Sequence, residues 1–214
     1  MRIFVALDLD SAIRERIARF MEGVRGFAPD AKWVTPASLH VTLKFIGEQP
    51  PERVEEIQRD LAAIKAPPLG IAFRGYGFFP SPRSARVFWV GIHAGPELEL
   101  LARNVEDVTA RFGIEREERY APHLTLARAR PPQQRGGPLS AAARSLPARR
   151  GVGSSHLRAS EISAPPFARV QERLAALPQP EFGTMTAQEF CLFESKLSPK
   201  GAQYTKIGKF PLNR

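Results

Sequence analysis

The tetrad His-aliphatic-Thr-Leu occurs twice in this chain, as His40-Val41-Thr42-Leu43 and His123-Leu124-Thr125-Leu126, with the histidines 83 residues apart. The surroundings repeat too. The run Arg2 to Leu7 is echoed by Arg86 to Ile92, 84 residues later, so the spacing holds to one residue across a whole strand-helix-strand unit. A duplicated unit of this kind leaves few folds open, because each amphipathic helix must cover a sheet face and the two copies must pack together. The expected class is α+β: two pseudo-twofold-related lobes, each an antiparallel sheet covered by helices, with a central cleft.

The elements follow from periodicity and punctuation. Arg2 to Asp8 is rich in β-formers, and Asp10-Ser11 supplies N-cap residues for a helix with Ile13, Ile17, Phe20, Met21 and Val24 on one face. Leu39, Val41, Leu43 and Phe45 alternate with polar residues as a strand closed by Gly47. Pro51 opens a helix with Val54, Ile57, Leu61 and Ile64 buried, and Pro67-Pro68 stops it. Ile71 to Phe79 returns to strand character.

In the second copy a helix from Pro96 buries Leu98, Leu101, Val105, Val108 and Phe112 and ends at Gly113. A short helix with Phe167, Val170, Leu174 and Leu177, a strand Gln188 to Glu194 and a turn containing Gly201 that leads to Tyr204 complete the chain. Ala187 to Glu194 corresponds loosely to Ile71 to Phe79. Between Pro131 and Ser160 there are five arginines and no acidic residue. This stretch reads as a mobile basic insert, with a short helix near Leu139 to Leu146.

With 43% hydrophobic residues and 14 Phe, the chain can bury a core, which excludes disorder throughout. Its 31 basic and 22 acidic residues leave +9, a charge that favours a polyanionic partner and equally serves solubility. Cys191, the single cysteine, lies in an apolar run and reads as a buried small hydrophobe. No signal peptide or apolar span of about 18 residues is seen, so a cytoplasmic protein is expected, with no membrane contact.

Residues two apart on a strand share a face about 6.6 Å apart, so His40 projects with Thr42 and His123 with Thr125. The aliphatic faces of both strands belong to the core, which leaves the polar faces for a cleft. Two imidazoles titrating near neutrality can divide the work of phosphodiester cleavage, one taking a proton and the other giving one. Threonine hydroxyls can donate to non-bridging oxygens. One histidine on a strand is ordinarily structural; packing does not explain the same tetrad recurring at matching positions of a duplicated unit. His93 and His156 have no neighbours at ligand spacing and read as surface residues, and the Asp8/Asp10 and Glu117/Glu118 pairs read as solvated turns.

The chain resembles the two-histidine (2H) phosphoesterases, and within them the RNA 2',3'-cyclic phosphodiesterases, or 2'-5' RNA ligase-like proteins. The likeness rests on Arg2 to Leu7, Trp33-Val34-Thr35-Pro36, Leu39 to Gly47, Tyr120 to Arg128, and Phe193 to Leu197 with Gly201 and Tyr204. It implies one 2H phosphoesterase domain over 1–214, with lobes roughly 1–85 and 86–214, crossover strands, and the insert at 131–160. It also implies hydrolysis of a 2',3'-cyclic phosphate at an RNA end to a 2'-phosphomonoester, without metal or cofactor, by a monomeric enzyme.

In the family assignment His40 donates a proton to the leaving 3'-oxygen and His123 accepts one from water. The duplication itself leaves those labels exchangeable. Phe45 and Arg128 are the family's base-stacking and phosphate-neutralising residues. Each lies five residues after its histidine, so a regular strand would send it to the opposite face; only a bulge or a strand end would bring it round. Three alternatives stand beside this reading: a cyclic phosphodiesterase acting on a small nucleotide, reverse 2'-5' ligation, and an RNA-binding module without turnover.

Overall fold

A computed structural model describes residues 1–117, 120–130, 165–198 and 201–213. The expected basic insert at 131–160, with its short helix and His156, lies outside these residues. In chain order the elements are β1 (Arg2–Asp8), α1 (Ser11–Arg25), β2 (Lys32–Trp33), β3 (His40–Glu48), α2 (Pro51–Ala62), β4 (Leu69–Phe79), β5 (Val87–Ala94) and α3 (Pro96–Ala110). They continue with β6 (His123–Arg128), α4 (Ala168–Ala175), β7 (Glu181–Ala187), β8 (Glu189–Ser198) and β9 (Gly201–Pro211).

The strands form two sheets, ordered β3-β1-β8-β9 and β2-β6-β5-β4-β7, with antiparallel pairing throughout. This is the α+β architecture read from the sequence. The duplication is visible in the register: Asp8 pairs with His40 as Gly91 pairs with His123, and Phe4 with Phe45 as Val87 with Arg128. The spacing is thus 83 residues in the opening strands too, one fewer than the sequence echo of Arg2 in Arg86.

The sheets do not divide the chain at residue 85. β4 follows the first copy in sequence yet pairs with β5 of the second, and β8 and β9 return to β1 of the first. Each copy lends its third strand to the other. Two further elements differ from the sequence reading. The tail is a full strand, β9, where a turn to Tyr204 was expected, and β7 precedes β8 as a separate strand. Leu177, expected on the buried face of the last helix, lies beyond its end and is exposed.

The helices are built as their sequences predict. Asp10 accepts the Ile13 amide at 2.8 Å and caps α1, whose Ile13, Ile17, Met21 and Val24 are buried. Proline opens both α2 and α3. α1 packs against β7 and α3 against β3, so a helix from each copy covers a strand of the other sheet. One continuous apolar core joins these faces.

A buried ion pair crosses that core. Lys44, 1% exposed on β3, places Nζ 2.7 Å from Glu106 Oε1 on α3 and 2.6 Å from the Glu115 carbonyl oxygen. Removing one partner strands the other charge among apolar groups, whereas removing both lets hydrocarbon fill the space. Lys44→Ala and Glu106→Ala should each lose about 3 kcal/mol in denaturant unfolding. Lys44→Met with Glu106→Leu should recover at least half of that loss; equal stability of single variants and parent would place the pair outside the folding energetics.

Candidate active site

The reach of the two tetrads toward each other begins with the segments that lead into them. Val34, just before the first tetrad, donates its amide to the Leu126 carbonyl of the second at 2.8 Å. Tyr120, just before the second, donates its hydroxyl to the Thr42 carbonyl of the first at 3.2 Å. Each tetrad strand is therefore fastened to the other's approach, and β3 and β6 lie in contact. Between the sheets is a cavity of about 410 Å³ lined by His40, Thr42, Phe45, His123, Thr125 and Arg128, all six residues singled out in the sequence.

Phe45 and Arg128 reach this cavity because each tetrad strand carries a bulge at the same place. The β1–β3 pairing runs from Ala6↔Thr42 to Val5↔Lys44 and skips Leu43; the β5–β6 pairing runs from Trp89↔Thr125 to Phe88↔Ala127 and skips Leu126. One extra residue inverts the alternation downstream. Leu43 and Lys44 are consecutively buried, as are Leu126 and Ala127, and the next residues, Phe45 and Arg128, turn to the cleft.

The histidines are held identically. His40 Nδ1 lies 2.8 Å from the Ser38 carbonyl oxygen and His123 Nδ1 lies 2.8 Å from that of Ala121, in each case two residues back. A carbonyl only accepts, so each Nδ1 carries hydrogen and Nε2 is the nitrogen left to exchange a proton. Burial pushes both imidazoles below their ordinary value, the two carbonyl hydrogen bonds oppose it, and Arg128 lowers both further. Arg128 lines the same cavity as both rings.

The cleft walls differ. Beside His40 stands an aromatic group: Phe4 at 4.7 Å between ring centroids and Tyr204 at 5.2 Å, edge-on, with Phe193 stacked on Phe4 at 5.2 Å and Phe45 at 5.9 Å from it. Phe45 is 55% exposed, the largest uncovered aromatic surface in the group. Beside His123, Phe79 lies edge-on at 5.0 Å and in turn packs on Trp89 at 5.0 Å. Gly77 is required beneath that indole, since a Cβ there would stand 2.2 Å from the Trp89 ring.

Arg2 and Lys32 join Arg128 in lining the cavity, and among the described residues no carboxylate lines it. Tyr204 belongs to β9, the strand that sequence periodicity reads as a turn. Cys191 is fully buried behind Phe4, as expected, and burial pushes its thiol up to about 12. Asp10 caps α1, as its sequence position predicts; Asp8, read as part of a solvated turn, is instead half-buried in ion pairs with Arg14 and Lys206. His93 is exposed. Among the described residues no group of three or more His, Cys, Asp and Glu side chains could hold a metal ion, and no helix is long and apolar enough to cross a membrane.

The arrangement offers two imidazole nitrogens, two hydroxyls and a cation along one cavity. Comparisons with known proteins place the chain in a family. A family model described as LigT-like phosphoesterase matches residues 7–89. An RNA 2',3'-cyclic phosphodiesterase of Archaeoglobus fulgidus is 30% identical over 98% of this chain and 99% of its own length. Another, of Methanothermobacter thermautotrophicus, is 29% identical over 99% of both. Among solved structures, TT0787 of Thermus thermophilus superposes with a TM-score of 0.67 at 28% identity, covering 99% of this chain and 98% of that one. Escherichia coli LigT complexed with 3'-AMP shares the fold, with a TM-score of 0.70 at 24% identity over 100% of this chain and 98% of its own. With such likeness along its full length, this chain belongs to the LigT-like phosphoesterases of the 2H superfamily.

Proposed function

We propose that this protein hydrolyses 2',3'-cyclic phosphodiester ends of RNA to 2'-phosphomonoesters by acid–base catalysis shared between His40 and His123, without a metal. The observation that carries this reading is the pair of identically tethered imidazoles, each with Nδ1 committed to a carbonyl, lining one cavity together with Thr42, Thr125 and Arg128. Relatives bearing the name RNA 2',3'-cyclic phosphodiesterase support the choice of substrate.

In the reaction, Nε2 of neutral His123 takes a proton from water as its oxygen bonds to phosphorus. Nε2–H of protonated His40 gives its proton to O3' as the P–O3' bond breaks. The product keeps the phosphate on O2', and a proton returns from His123 to His40 through solvent. The two threonine hydroxyls donate to the non-bridging oxygens, and Arg128 balances the charge that grows on them. Acid, base and counter-charge all come from side chains, so the step needs no Lewis acid.

The donor and acceptor labels follow from the cleft's asymmetry. The leaving oxygen of a cyclic phosphate stays on the ribose, so the acid belongs on the nucleoside side and the base on the opposite apical side. The aromatic wall of Phe4, Phe45 and Tyr204 lies beside His40 and suits a stacked base, with Phe45 as its exposed face. His40 is accordingly the donor and His123 the acceptor.

His40→Ala and His123→Ala should each reduce kcat on a cyclic-phosphate oligonucleotide by about 10²–10⁴-fold with unchanged circular dichroism, and chelator should have no effect. Full activity in either variant would end the reading, and a strong preference for a 2',3'-cyclic mononucleotide would move the substrate to a small nucleotide.

The pH dependence has a definite sign. kcat/KM rises as His123 loses its proton and falls as His40 loses its own in the free enzyme. Burial lowers both from the ordinary 6.5, so the maximum of kcat/KM should lie on the acid side of 6.5. A bound anionic ester raises both imidazoles, so the kcat optimum should lie at higher pH than that of kcat/KM. A kcat/KM profile peaking above pH ~7.5, or one with a single limb, would contradict the assignment.

A further inference from the structure

The 83-residue register makes the two histidines equivalent in tether and strand position, yet the residues paired with them across the sheet are not. Asp8 faces His40 in the β1–β3 ladder, and Gly91 faces His123 in the β5–β6 ladder. Directly paired residues on antiparallel strands stand about 4.5–5.5 Å apart at Cα. Gly91 has no room for a counterpart, because a Cβ there would stand 2.5 Å from the Arg74 carbonyl oxygen.

Asp8 is also the most elaborately held carboxylate near the cleft. Arg14 pairs with its Oδ1 from α1, and Lys206 Nζ lies 2.6 Å from its Oδ2 from β9. The same guanidinium donates to the carbonyls of Pro36 at 2.6 Å, Leu39 at 3.2 Å and Leu9 at 3.2 Å. Pro36 and Leu39 bracket Ser38, whose carbonyl tethers His40. One side chain therefore sets both the carboxylate beside His40 and the loop that orients its ring. Among the described residues no such clamp stands beside His123.

We propose that Asp8, clamped by Arg14 and Lys206, is the positioning residue that makes the duplicated histidines unequal and commits His40 to the proton-donor role. This rests on the paired-histidine reading above. Asp8 acts through His40 and does not touch substrate: it is absent from the cavity lining.

The charges facing each ring can be named. Around His40 are Asp8 from β1, Arg14 from α1 and Arg128 from β6, with the Tyr204 ring from β9 edge-on beside it; Lys206 and Glu189 lie behind Asp8. Around His123 are Arg128 on its own strand and Glu117 from the preceding loop. Burial would raise the Asp8 carboxyl, but the Lys206 hydrogen bond and the charges of Arg14 and Lys206 hold it below the usual carboxylate range, so it is anionic wherever the enzyme works. Made neutral, it would leave two cations beside a buried imidazole, and His40 would release its proton at lower pH. Lys206→Met does the reverse, since it removes a cation and keeps the carboxylate.

The test is an NMR titration of both histidine rings in the substrate-free protein, with kcat/KM–pH profiles alongside. In Asp8→Asn the His40 midpoint should fall by roughly one pH unit while His123 stays, and the alkaline limb of kcat/KM should follow His40 downward. In Lys206→Met the His40 midpoint should rise, which keeps the proposal testable if Asp8→Asn folds poorly. An unmoved His40 in both variants, equal movement of both rings, or one loss factor at every pH would overturn it. The ring midpoints decide the role of Asp8 even if cyclic phosphates prove not to be the substrate.

Discussion

A bulge of one residue in each tetrad strand governs what faces the cleft. Without the extra Leu43 in β3 and Leu126 in β6, strict alternation would turn Phe45 and Arg128 into the core and leave Lys44 and Ala127 facing the cleft. With it, the histidine, the threonine and a third functional residue share a face, and Lys44 drops inward to meet Glu106. The bulge therefore links the site to the buried ion pair: the residue that the bulge forces inward is charged, and the helix of the other copy supplies its partner. A regular strand could satisfy the core or the cleft at that point, not both.

Duplication supplies the symmetric part of the chemistry, and divergence supplies the direction. In the proposed mechanism, two copies of a strand with a carbonyl-tethered histidine and a threonine would provide two proton-exchanging nitrogens and two donors to one phosphate. Acid–base cleavage needs opposite protonation states, so equivalence must be broken. It is broken at positions that the register pairs: Phe45 against Arg128, and Asp8 against Gly91. Phe4, Tyr204 and the Asp8 carboxylate lie on the His40 side, Phe79 and Glu117 lie on the His123 side, and Arg128 bears on both rings.

The sequence disclosed what is local and periodic. The repeated tetrads, the helix caps, the proline starts and the buried stripes of α1, α2 and α3 were all legible, because each is a pattern within one element. Phe45 and Arg128 were legible as cleft residues only through the family resemblance; strand alternation sends both to the opposite face, since a bulge leaves no mark on hydrophobic period. The exchange of β4 and β8 between sheets is set by pairing over long separations, which no local pattern records; crossover strands enter the sequence reading only through the family resemblance. The start of β9 reads as a turn on the strength of Gly201, which in the structure is the strand's first residue. Asp8 was passed over because its meaning lies in its partners: only the pairing of β1 with β3 and the arrival of Lys206 from the far end of the chain set it beside a catalytic candidate.

All of this requires that both rings serve one phosphorus atom. A crystal structure of the protein with a nucleoside–vanadate complex, which mimics the five-coordinate state, tests that requirement most directly. The account predicts His40 Nε2 and His123 Nε2 on opposite apical oxygens, each within about 3 Å, with the nucleobase against Phe45. Vanadate bound by one histidine alone, with the other turned away from it, would contradict the account.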